Sequence, residues 1–231
     1  MDNKALTDRK LCRACSKCTE VCNLNLREIS GKEYTVDELV KEIQKDEMFY
    51  EESGGGVTLS GGEVMTADMN FVEELVRKLY RLGISVAIDT CGQAPYENFE
   101  RILPYIDIFL YDIKTLNPEI HKKYIGTGNE LILSNLEKLS QIGARIYIRI
   151  PMIKEVNGNN ECMQEISHYL LENGIVPAQI NLLSYHNMGA SKYPRVGMSY
   201  KGTELHAPSV EEMKQFVNIF KKEEFQNTKI N

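Results

Sequence analysis

The chain has 231 residues, 42% hydrophobic and 26% charged, which is enough apolar material for one sizeable core and too much for a disordered chain. Acidic residues number 33 against 27 basic, a formal charge of -6, so no overall basic field draws in phosphate backbones and nucleic acid is not expected as a partner. No apolar run approaches the ~18 residues that span a bilayer, and the opening MDNKALTDRK is too polar for a signal peptide, so no membrane partner is expected and the chain reads as cytoplasmic.

In that compartment the six cysteines are expected to be reduced. Four of them, Cys12, Cys15, Cys18 and Cys22, fall within eleven residues, a density that points to metal rather than disulfides. Cys91 and Cys162 read as structural. The segment TVDELVKEIQKD predicts a helix, because Thr35 and Glu38 have capping-box spacing and Val36, Leu39, Val40 and Ile43 form an apolar stripe. Val57 to Leu59, between two glycine groups, predicts a buried strand ending in a tight turn. A helix is expected from Phe71 to Leu82, closed by Gly83, followed by the strand ISVAIDT. Pro95 opens a helix toward Leu103, IDIFLYDIK is a strand, and a helix through Leu131, Leu136 and Leu139 ends near Gly143. RIYIRIP, a helix over about Glu161 to Leu171, the strand QINLLSY and a helix begun by the Ser209 to Glu212 capping box complete the pattern. The first ten residues and the polar EFQNTKIN tail read as flexible. Five strands, each followed by helix, predict an α/β fold with a parallel sheet curling into an open or partial barrel.

In such sheets the working residues lie at the carboxyl ends of the strands. Those ends carry Gly61-Gly62-Glu63, Asp89-Thr90-Cys91-Gly92, Asp112-Ile113-Lys114, Arg149-Ile150-Pro151 and Tyr185-His186-Asn187-Met188-Gly189. Each alone reads equally as a turn or a helix cap. Together they resemble an amino-acid pocket: bare glycine backbone, a Glu63 carboxylate for an amine, hard oxygens from Asp89, Thr90 and Asp112 for a cation, and Lys114 for a carboxylate. Arg149 either binds the ligand or pairs with Asp112. His186 either contacts a purine or ribose or is structural. His121, His168 and His206 show no metal spacing and read as surface or helix residues.

The stretches SGGGVTLSGGE, DTCG, LYDIK, HKKYIGTGNELILSNL, IRIP and YHNMGASKY, in that order, resemble the glycyl-radical-enzyme activating enzymes of the radical S-adenosylmethionine superfamily, of the pyruvate formate-lyase activating enzyme type. The resemblance runs from about Lys10 to Phe220. It implies that Gly61, Gly62 and Glu63 hold the methionyl amine of S-adenosylmethionine. It puts Asp89, Thr90 and Asp112 around a monovalent cation beside the methionyl carboxylate, Lys114 at that carboxylate and His186 at the nucleoside. The implied activity is an oxidoreductase's. An electron from flavodoxin or ferredoxin passes through a 4Fe-4S cluster, S-adenosylmethionine is reductively cleaved, and a glycyl radical is installed on a partner glycyl radical enzyme.

The family chemistry rests on a Cys-x3-Cys-x2-Cys loop after the first strand. This sequence contains no such loop, so no catalytic cluster ligand is expected in it. Cys12, Cys15, Cys18 and Cys22 instead follow ferredoxin spacing and look like the second half of a two-cluster insert found in the family, in which the last cysteine of a run serves the other cluster. Asn23 stands where a proline is usual. The resemblance therefore predicts an amino-terminally shortened chain: residues 1-33 a remnant of the ferredoxin-like 4Fe-4S insert, and 34-231 a partial (β/α)6 barrel lacking its first strand. Two alternatives stay open at this point. One is a noncatalytic S-adenosylmethionine or partner-binding fragment, including one half of a split activase. The other is a ferredoxin-like electron carrier fused to a degenerate barrel.

Overall fold

The computed structural model describes residues 7-231 apart from 9, 25, 28, 30 and 196, so most of the opening segment expected to be flexible lies outside the described residues. A short helix, α1 (Lys17–Glu20), lies among the cysteines. α2 (Val36–Gln44) begins at Thr35, whose side chain accepts from the Glu38 amide while the Glu38 carboxylate accepts from the Thr35 amide, the predicted reciprocal cap. α3 (Glu47–Ser53) follows, and then strands and helices alternate: β1 (Gly56–Leu59), α4 (Met69–Arg81), β2 (Ser85–Thr90), α5 (Tyr96–Ile102), β3 (Ile108–Asp112), α6 (Pro118–Ile125), α7 (Glu130–Gln141), β4 (Ile146–Met152), α8 (Asn160–Glu172), β5 (Gln179–Ser184), α9 (Lys192–Arg195), α10 (Val210–Lys222) and β6 (Thr228–Ile230). Gly83 and Gly143, each just past a helix, have φ of 73° and 75°, the left-handed turn that lets the chain leave a helix and enter the next strand.

All six strands are parallel and hydrogen-bonded in chain order, β1 to β6, and the barrel is not closed. Five strands were expected; the sixth corrects the reading of the tail as flexible. After α10 the chain turns at Glu224 (φ 72°), the Phe225 amide donates to the Phe220 carbonyl at 3.0 Å, and the two rings pack edge-on. That turn delivers Thr228, 3% exposed, beside Ile180, where backbone groups on the open side of β5 otherwise lack partners. The segment pairs because the sheet edge offers hydrogen bonds, not because its sequence is apolar.

Strand alternation divides the sheet into two faces. Val86, Ile88 and Thr90 on β2, Phe109 and Tyr111 on β3, and Ile146, Ile148 and Ile150 on β4 are buried in the core with α4, α5, α7, α8 and α10. The other face, with Ala87, Asp89, Leu110, Asp112, Tyr147 and Arg149, is only half-buried. His121, read as a surface or helix residue, is helical but buried (2% exposed), its Nδ1 2.7 Å from the Thr127 carbonyl. Among the described residues no helix is long and apolar enough to cross a membrane.

Candidate functional site

Because the strands are parallel, their carboxyl ends converge at one end of the sheet. At β1, Gly61 has φ 145°, a conformation L side chains rarely adopt, and added Cβ atoms on Gly61 and Gly62 would meet no heavy atom within 4 Å. Their backbone is thus open to a ligand. Glu63 caps the 3-10 turn Val64–Thr66 and binds across to the end of β2. Its Oε1 accepts from the Met65 amide (3.1 Å) and the Thr90 hydroxyl (2.7 Å), and its Oε2 from the Cys91 amide (2.8 Å). A carboxylate has about four acceptor positions, so one remains on Oε2 for an incoming amine.

The β2 turn is fixed from beneath. Gly92 donates to the Thr90 hydroxyl at 2.9 Å, and the buried Asn135 of α7 donates to the carbonyls of Gly92 and Ala94 at 2.9 and 2.8 Å. Burial pushes the Cys91 thiol up, which keeps it protonated and inert. Asn157, 2% exposed, joins the next two strand ends by donating to the carbonyls of Lys114 (2.7 Å) and Pro151 (2.8 Å) while accepting from the Ile153 amide. Asn129 donates to the carbonyls of Thr115 and Leu116. These three asparagines were not singled out from the sequence. Their signal is local turn chemistry, and only the fold reveals that they staple the loops of the mouth. The segment after β5 is clasped to the one after β4, where the His206 carbonyl accepts from the Lys154 amide and its ring meets Glu155 at 2.7 Å.

On the half-buried face, Arg149 pairs with two carboxylates. Its Nε donates to Asp112 Oδ1 at 2.9 Å and its Nη2 lies 2.8 Å from the same oxygen, while Nη2 also bonds Asp89 Oδ1. Asp112 Oδ2 faces the Lys114 ammonium at 3.4 Å, and Asp89 Oδ2 accepts from the Ser60 hydroxyl at 3.1 Å. The structure therefore brings Asp89, Asp112, Lys114 and Arg149 together. It does not bring Thr90 to them, since the strand alternation turns Thr90 to the buried face and to Glu63. His186 is exposed two residues past β5.

The cysteine segment is separate from this mouth in sequence and character. Cys12, Cys15 and Cys18 are exposed and Cys22 is half-buried; among the described residues no three Cys, His, Asp or Glu side chains form a group able to hold a metal ion. The donor chemistry nevertheless suits an iron–sulfur cluster, with four thiols at ferredoxin spacing. The Cys22 sulfur also accepts the Leu26 amide at 3.3 Å, the main cause of a thiol held below its ordinary range.

Residues 12–167 match the family model described as the radical SAM superfamily. The chain belongs to this superfamily. Its relatives there are glycyl radical enzyme activating enzymes. It is 48% identical over 206 residues to the trans-4-hydroxy-L-proline dehydratase activating enzyme of Clostridioides difficile, a match covering 89% of this chain and 68% of that protein. It is 34% identical over 224 residues to the 4-hydroxyphenylacetate decarboxylase activating enzyme of the same species, covering 95% and 70%. A crystal structure of a domain of pyruvate-formate lyase-activating enzyme from Bacteroides vulgatus superposes with a TM-score of 0.66 at 27% identity, covering 77% of this chain and 99% of that domain. The radical SAM fold, with S-adenosylmethionine and a 4Fe-4S cluster as cofactors, follows from this membership. The relatives are activating enzymes rather than bare electron carriers or binding fragments, which favours the activase reading over both alternatives.

Proposed function

We propose that this chain binds S-adenosylmethionine across the carboxyl ends of β1 to β5, holds a 4Fe-4S cluster on Cys12, Cys15, Cys18 and Cys22, and acts on a glycyl radical enzyme in the cytoplasm with flavodoxin or ferredoxin as electron donor. In this reading residues 1-33 form a remnant of a ferredoxin-like 4Fe-4S insert and 34-231 a partial radical SAM barrel. The observation that carries it is the Gly61-Gly62-Glu63 loop, where open backbone and one unused carboxylate acceptor stand at the same end of the sheet as Lys114 and Arg149. When bound, the cluster supplies an electron and S-adenosylmethionine supplies the radical chemistry. The chain's own residues bind and orient. Glu63 accepts the ligand amine, Lys114 meets its carboxylate, and the bare backbone at Gly61 and Gly62 lets the ligand lie close to the sheet. His186, exposed at the rim, contacts the nucleoside. Cys12, Cys15, Cys18 and Cys22 supply thiolates to the cluster.

Two measurements test this. Anaerobic reconstitution with iron and sulfide, read by iron counting and Mössbauer spectroscopy, is expected to load one cluster in the wild type and none in Cys15→Ala. Calorimetry with S-adenosylmethionine should show binding that Lys114→Met weakens about tenfold, the worth of one charge-assisted contact. Loading that survives Cys15→Ala, or affinity untouched by Lys114→Met, refutes the corresponding half of the reading.

A further inference from the structure

We infer that Arg149 is the built-in counter-cation of Asp89 and Asp112, and that with Lys114 it receives the carboxylate of an α-amino-acid ligand in this mouth without a bound monovalent cation. The ligand half of this inference rests on the reading just proposed; the counter-cation half does not.

Three observations carry it. First, a monovalent cation does not fit the residues expected to hold it. Thr90 points to the opposite face of β2, 2% exposed, and its hydroxyl is committed to Glu63 and to the Gly92 amide. Asp89 and Asp112 already share one guanidinium, whose Nε and Nη2 reach Asp112 Oδ1 at 2.9 and 2.8 Å and whose Nη2 also bonds Asp89. Second, neither aspartate is left without a cation. Asp89 and Asp112 face Arg149 and Lys114 at 17% to 30% side-chain exposure, so each carboxylate is already paired in this half-desolvated site. Third, the guanidinium is not used up. Nε and Nη2 are spent on the two aspartates, but among the described residues Nη1 makes no hydrogen bond, so a guanidinium already fixed in place has the N–H groups of Nη1 left to donate to a carboxylate.

The sequence pattern supports the same conclusion. Arg149 occupies the half-buried register of β4, level with Asp112 on β3 and Asn181 on β5. A charged residue at that position interrupts an otherwise apolar strand, and the two acids beside it are its compensation.

Thermal unfolding of the full chain in KCl, NaCl and choline chloride at one fixed ionic strength tests the counter-cation. Choline is too large to replace an inorganic ion held by carboxylates. Wild-type Tm should agree across the three salts to about 1 °C, because nothing in the native state binds K+ or Na+ selectively. Arg149→Gln should lower Tm by about 5 °C in choline chloride and recover part of that loss in KCl or NaCl, as an ion enters between the two uncovered carboxylates. Arg149→Lys should keep the salt indifference. A wild-type Tm higher by more than about 2 °C in K+ or Na+ than in choline overturns the inference, and this arm stands even if Arg149→Gln does not fold. In parallel calorimetry with S-adenosylmethionine, the wild type should bind equally in all three salts, with Arg149→Gln about tenfold weaker in choline chloride. Wild-type affinity that needs K+ or Na+ also overturns it. A wild type that binds no S-adenosylmethionine in any salt refutes the proposed ligand while leaving the thermal arm to decide the counter-cation.

Discussion

Glu63 is expected to hold the mouth together before it holds any ligand, and a mutant cycle with Thr90 measures this. Its carboxylate accepts from Met65, Thr90 and Cys91 at 3.1, 2.7 and 2.8 Å. Hydrogen bonds to a charged group are worth about 1.5 to 3 kcal/mol each, and a buried donor left without a partner costs about 1 to 3 kcal/mol. Thr90 is 2% exposed and Met65 0%, so water replaces the lost acceptor of neither donor cheaply. Glu63→Ala should therefore destabilise the chain by about 4 kcal/mol, a fall in Tm of roughly 10 °C for a domain of this size. Glu63→Gln keeps one carbonyl acceptor and should cost about half as much. Thr90→Val removes the hydroxyl shared between Glu63 and the Gly92 amide, and should cost about 2 kcal/mol. Since both substitutions delete the same bond, the double variant should fall short of their sum by about 1 to 2 kcal/mol. Urea unfolding followed by far-ultraviolet circular dichroism gives all four corners. Additivity within about 0.5 kcal/mol, or a cost of Glu63→Ala below about 1 kcal/mol, refutes the claim that this loop is tied down by its carboxylate.

Gly92→Ala should be among the most damaging single changes. Its Cβ would stand 1.8 Å from the Tyr111 hydroxyl oxygen at a φ of 76°, and that ring is fully buried with its hydroxyl donating to the Ile132 carbonyl at 2.7 Å. A loss above about 3 kcal/mol is expected in thermal or urea unfolding, and wild-type stability would show that the ring has room to move. Alkylation of the metal-free protein should modify Cys12, Cys15 and Cys18, which are exposed, before Cys91 and Cys162, whose thiols burial pushes up. Mass spectrometry of the time course decides it, and early labelling of Cys91 would mean that the β2 turn opens readily.

Most of the alternation was legible because the long helices carry both a stripe and a cap. Thr35 with Glu38 and Ser209 with Glu212 form the two reciprocal caps their spacing predicts, and Asp68, one residue before α4, adds a cap that the apolar stripe alone starts too late. Three short elements were not legible. α3 and α6 have only seven and eight residues, and β6 is a polar tripeptide created by the open edge of β5. For the mouth, the five strand ends named the right loops, but a linear list gave Asp89 and Thr90 a common role that the period of two in a strand denies them. That signal was present in the sequence. The part played by Arg149 was half present: its pairing with Asp112 could be guessed, whereas Asp89 comes into reach only through the register of three neighbouring strands.

The last strand has a practical corollary for following this protein in solution. Since β6 runs parallel to β5, with Ile230 level with Leu182 and the Asn231 amide bonded to the Leu182 carbonyl at 3.0 Å, the polypeptide leaves the sheet on the same rim as Ser184 and His186. A fluorophore or spin label coupled at Asn231 therefore sits at the end of the sheet that carries the carboxyl ends of the strands, and can serve as a reporter for events at that rim.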